Sequence, residues 1–167
     1  MAVTRDGRRD RSAWKGVLAG MAGGLVGAWT MNRFQAALSG LKTQQSSGSG
    51  GDDATQKAIS RFAPSLARNL TRDEISIGGS MVHYGFGTMM GAVYGGAAEV
   101  MPRTSMAWGL PFGAALWLGG DEIAVPLAGL SSAPGDYPAS THASALAAHL
   151  VYGLTADVVR RAVRATL

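Results

Sequence analysis

The sequence predicts an all-α protein, an integral membrane bundle of four transmembrane helices that pack on glycine-rich faces. Three observations predict it. Charged residues make up only 16% of the 167-residue chain, against roughly a quarter in soluble domains. They crowd into residues 1–15, 33–74 and 157–164, which leaves the segments between them almost uncharged. The chain also carries 24 glycines, each costing about 1 kcal/mol against alanine in a soluble helix but favouring close helix approach in lipid. Mean hydropathy is only +0.10, so the distribution of charge, not the average, carries the prediction. Cysteine is absent, which excludes disulfides and Cys-ligated metals. The net charge of +4 lies mainly in flanking segments and suits anionic lipid headgroups better than nucleic acid.

The elements follow in order. Residues 1–15 form a basic N-terminal segment with Arg5, Arg8, Arg9, Arg11 and Lys15. Residues 16–34 read as the first span, uncharged from Gly16 to Met31 and flanked by Trp14 and Trp29 at interface positions. A cleaved signal peptide is the competing reading of this start. Residues 35–79 form a polar connection whose stretch Thr43–Asp53 (TQQSSGSGGDD) has linker composition. A short helix is expected over Ala54–Ala63, stopped by Pro64. Three further spans are expected at about 80–101, 106–130 and 141–159, with a basic tail over 162–167. Pro102, the turn-rich SSAPGDYPAS (131–140) and Arg160, Arg161 and Arg164 mark their ends. Lysine and arginine are denser on the side of the termini, which predicts both termini in the cytoplasm.

Glycines recur at four-residue spacing as Gly16, Gly20 and Gly24 in the first span and Gly87, Gly91 and Gly95 in the second. Gly109 and Gly113 repeat the pattern in the third. Such spacing builds a ridge that a neighbouring backbone can touch. Packing within one chain is the first reading, and a homo-oligomer joined through the ridges is the second.

The polar residues inside the apolar segments carry the functional signal, because ionisable groups there are expensive. His83, Asp121, Glu122, His142 and His149 fall in the same half of the expected bundle. His142 and His149 are seven apart and so share a face. Pro126 removes the backbone donor that would pair with the Glu122 carbonyl. Three readings of the cluster stand: structural hydrogen bonds, a proton-responsive site and a metal site of the three histidines with a carboxylate. At the other ends, Glu99 is expected to meet Arg103, and Asp157 to meet Arg160 or Arg161. No HExxH, nucleophile elbow or phosphate loop points to catalysis, so neither an enzyme nor a cofactor is expected.

The strings His83-Tyr84-Gly85-Phe86-Gly87 and Gly91-Ala92-Val93-Tyr94-Gly95 with Glu99 resemble the second span of YagU-like bacterial inner-membrane proteins. Phe112-Gly113, Leu116-Trp117, Asp121-Glu122 and Pro126-Leu127 are similar to that family's third segment. His149-Leu150-Val151-Tyr152-Gly153 is similar to its last. The resemblance covers about residues 80–161 and implies a helical inner-membrane protein. It also implies a role in acid resistance, held by the member that names the family, and it supplies no catalytic residues.

Overall fold

The computed structural model describes residues 12–41, 50–64 and 71–167. Most of the basic N-terminal segment and linker residues 42–49 lie outside the described residues. Helix α1 spans Ala13–Leu41, α2 Gly50–Phe62 and α3 Arg72–Val100. A 3-10 segment over Pro102–Gly109 leads to α4 (Leu110–Leu116), a π-helical segment over Trp117–Ala124 and the single turn α5 (Val125–Leu127). A 3-10 turn at Pro134–Asp136 precedes α6, Ala139–Thr166.

The all-helical expectation holds, but the four-span membrane bundle does not. Among the described residues, no helix is long and apolar enough to cross a membrane. The physical reason lies in the glycines. The uncharged run of α1 from Gly16 to Met31 is only 16 residues long and includes five glycines, which lengthen a helix while adding almost no apolar surface. Asn32 and Arg33 then follow within the same helix. Helix α3 is uncharged from Ile75 to Ala98 but dilutes its apolar content with seven glycines. The expected third span, 106–130, is not one helix at all but 3-10, α and π pieces in succession. The lysine and arginine count that places the termini is built on those spans.

Helix α3 begins eight residues before the expected second span, and its start is written in the sequence. Thr71 and Glu74 form a capping box. The Glu74 backbone N–H donates to Thr71 Oγ1 at 3.3 Å, and the Thr71 N–H donates to the Glu74 carboxylate at 2.7 Å. The Thr71 N–H bond first, and a second bond from the Thr71 hydroxyl at 2.8 Å, hold the Glu74 carboxyl below its usual range.

Helix α1 lies between α3 and α6 and packs along both. Its contact with α3 is backbone against backbone. A methyl group added at Gly20 would lie 2.9 Å from Gly95 Cα and closer still to the Gly91 carbonyl oxygen. Gly24 faces Gly87 and Gly91 in the same way, and Gly16 faces Gly95. Gly113 and Gly109 meet His149 and Gly153 of α6. The glycine ridges are therefore filled by the chain's own helices. Ala28, Met31, Ala148, Tyr152 and Ala156 form the core, with Phe34, Tyr84, Phe112 and Leu116 against it. The buried Tyr152 hydroxyl donates to the Gly87 carbonyl at 2.6 Å, tying α6 to α3.

Candidate functional site

The acidic pair sits in the π-helical segment. In that register the Val125 N–H donates to the Gly120 carbonyl, five residues back. Pro126, which has no N–H to give, follows directly, so the widened turn ends where an α-helical bond is impossible. Short π segments are rare and concentrate at functional sites. This one turns Asp121 and Glu122 toward α6.

Two pairs result. His142 Nδ1 lies 2.6 Å from Glu122 Oε1, and its other ring nitrogen, Nε2, lies 3.0 Å from the Pro134 carbonyl oxygen. One turn pair deeper, His149 Nδ1 lies 3.7 Å from Asp121 Oδ2 and 3.0 Å from the Ala145 carbonyl of its own helix. His83 on α3 joins the second pair through its charge, which lowers the Asp121 pKa. The five residues singled out from sequence thus fall into two neighbouring groups, His142 with Glu122 and His149 with Asp121 and His83. Among the described residues, no three histidine or carboxylate side chains are placed to hold a metal ion.

The electrostatics differ between the groups. The hydrogen bond that His142 donates to Glu122 raises its pKa most, and the Pro134 and Tyr137 backbone contacts push it the same way. Loss of solvation pushes the Asp121 carboxyl above the usual carboxylate range, with Glu122 adding to that shift and His149 and His83 opposing it. An open notch of about 400 Å³, lined by Glu122, Ile123, Pro126, Leu127, Ala133 and Pro134, lies beside the first pair. Water therefore reaches the carboxylate without crossing the core.

Sequence reasoning missed the lid of this site. The 131–138 connection was legible only as a turn, yet it supplies the Pro134 carbonyl and stacks Tyr137 edge-on to His142, ring centroids 6.4 Å apart. The Tyr137 hydroxyl also accepts the Ser132 N–H at 3.2 Å, closing the loop on itself. An aromatic residue among turn-formers was the available signal.

The opposite end of the bundle carries ion pairs more buried than expected. Asp157 is fully buried and takes Arg160 Nη2 at 2.7 Å and Arg161 Nε at 2.6 Å. Tyr94 is buried beside it, its hydroxyl pushed well above the usual phenol range by burial first and by the Asp157 charge second. Glu99 pairs with Arg164 at 2.8 Å and not with Arg103. The antiparallel return of α6 brings Arg164 alongside α3, while Pro102 turns Arg103 away into the 3-10 segment.

A family model described as a protein of unknown function (DUF1440) matches residues 62–158, a range that contains both histidine–carboxylate groups. No curated protein and no solved structure matches the chain.

Proposed function

The chain belongs to the DUF1440 family, and from the paired histidines and carboxylates within that segment we propose a non-enzymatic, proton-responsive protein of the YagU-like kind. It acts at the bacterial inner membrane and supports survival under acid or related envelope stress. One observation carries the proton-responsive part. Both nitrogens of His142 face acceptors, Glu122 Oε1 on one side and the Pro134 carbonyl on the other. A neutral imidazole has one donor and one acceptor, so opposite a Glu122 carboxylate only the imidazolium satisfies both contacts. Taking up a proton ties the 131–138 connection and the π segment to the start of α6. Losing it sets a lone pair against one of the two oxygens and loosens that tie.

The direction suits the role. A site that closes on protonation tightens as the surroundings acidify. Attachment to the membrane is supported by the exposed apolar residues of α1, where Trp14, Leu18, Met21, Leu25 and Trp29 recur along the helix. Contiguous apolar surface of this kind marks an interaction face.

The test compares acid survival of cells carrying wild type, His142→Gln and Glu122→Gln at equal expression. Both variants are expected to survive a low-pH challenge less well than wild type and equally well at neutral pH. Survival curves that coincide with wild type at every pH would remove the proton-responsive role.

A further inference from the structure

The connection from α3 to α4 contains the one stretch of strained backbone among the described residues. Ala107 and Trp108 have φ of 50° and 56°, and Gly109 follows at 78°. Left-handed conformations are unfavourable for any residue with a Cβ, and two in succession ending on a tryptophan call for a reason. Gly109 needs its glycine, since a Cβ there would lie 3.0 Å from Asp157 Cβ and closer to the Gly153 carbonyl. Arg161 holds the rest. It donates to the Ser105 carbonyl at 2.8 Å, stacks on the Trp108 ring at 4.8 Å and is anchored to buried Asp157.

The result is a tryptophan propped outward. Trp108 is 56% exposed, although its ring is large enough to dominate a core. Val100, Met101 and Met106, close to it in sequence, are exposed as well, and so is Trp14 at the start of α1. Among the described residues this end holds five cationic side chains, Lys15, Arg103, Arg160, Arg161 and Arg164, against the two acidic side chains Glu99 and Asp157, and Lys15 donates to the Leu167 carbonyl at 3.0 Å. Arg160 is used up inside, but Arg103 is exposed and Arg161 is 44% exposed. An apolar rim set among surplus cations matches a surface that is negatively charged outside and apolar just beneath.

We propose that this end of the bundle docks on an anionic phospholipid bilayer, with Trp108 seated at the headgroup boundary and Arg103 and Arg161 on lipid phosphates. Aromatic rings favour that boundary, and each basic side chain near such a surface contributes about a five-fold gain in binding. The proposal rests on the inner-membrane assignment above and names the surface that makes the contact.

Flotation of the full chain with vesicles tests it, using phosphatidylcholine alone and phosphatidylcholine with about a third phosphatidylglycerol. Wild type is expected to bind the anionic vesicles about ten-fold or more tightly than the neutral ones, less so at high salt. Arg103→Gln, at an exposed position, and Trp108→Gly, which relieves the left-handed backbone, are each expected to lose about five-fold with helical content unchanged. Equal binding to both vesicle types overturns the proposal. So does displacement of the vesicles by a DNA duplex at matched phosphate concentration. Binding by both variants equal to wild type removes this surface but leaves the membrane assignment standing, whereas wild type binding neither vesicle removes both.

Discussion

A methyl group added to the α1–α3 contact should do more damage than its size suggests, and the same helix supplies the control. Gly91→Ala places a Cβ 2.6 Å from Gly24 Cα and closer to the Gly20 carbonyl oxygen. Carbon atoms in contact sit about 3.5–4.0 Å apart, so the helices must separate locally by about 1 Å. Both obstacles are backbone and cannot swing aside. Overpacking of this kind costs about 1–3 kcal/mol, offset by about 0.8–1.0 kcal/mol from alanine's better helix propensity. Gly85→Ala, six residues earlier, meets nothing within 4 Å and keeps the propensity gain alone. The two variants should therefore differ by about 2 kcal/mol, with Gly85→Ala above wild type and Gly91→Ala below it. For a chain of this length that separates their melting temperatures by about 4–8 °C. Far-UV circular dichroism on heating or in urea reads the difference. Equal stability of the two variants would refute the account of α1 and α3 as a backbone-to-backbone contact.

Further outcomes follow from the same geometry. Asp157→Ala leaves the Arg160 charge buried without its carboxylate, so urea denaturation should show a loss of about 3–5 kcal/mol. Tyr152→Phe removes the 2.6 Å bond to the Gly87 carbonyl and should cost about 1 kcal/mol by the same assay. Stability should also depend on pH. The folded pKa of His142 is raised, so the stabilisation it brings is complete below its ordinary value of 6.5 and is lost as pH rises through the raised value. The raised Asp121 carboxyl works in the same sense, since the folded state holds its proton to higher pH than the unfolded chain. Melting curves should therefore show higher stability at mildly acidic pH than at alkaline pH, and His142→Gln should flatten the limb above pH 6.5. A wild-type profile that rises with pH across that window would reverse the assignment.

Much of the architecture was legible wherever local chemistry repeats. Four-residue glycine spacing marked the faces that α1, α3 and α4 use, whereas the start of α3 is placed too late, at about residue 80, although Thr71 and Glu74 carry the capping signal. The seven-residue interval between His142 and His149 placed both on the face that meets the acidic pair. Features that depend on distant partners were not legible. The breaks in the 102–109 segment arise because Arg161, 56 residues beyond Ser105, holds Ser105 and Trp108, and because Gly109 must clear Gly153. Glu99 was matched to the nearest arginine in sequence, whereas the antiparallel return of α6 offered a nearer one in space. The membrane spans failed for a related reason. A run without charges need not be apolar, and here five of the 16 uncharged positions of α1 and seven of the 24 of α3 are glycine.

The π-helical segment makes the pairing of Glu122 with His142 a matter of chain length as much as of side-chain identity. Its widened turn accommodates a residue more than an α-helix would over the same rise. Removing a single residue there, at Gly119 or Gly120 where an added Cβ would meet no other part of the fold within 4 Å, would let the segment relax to ordinary helix. Successive α-helical residues are rotated by about 100°, so both carboxylates would then point to a different sector while every residue of the pair survived. Among related chains, a count of residues between Trp117 and Pro126 would tell more about whether the histidines have their carboxylates than the presence of the acids themselves.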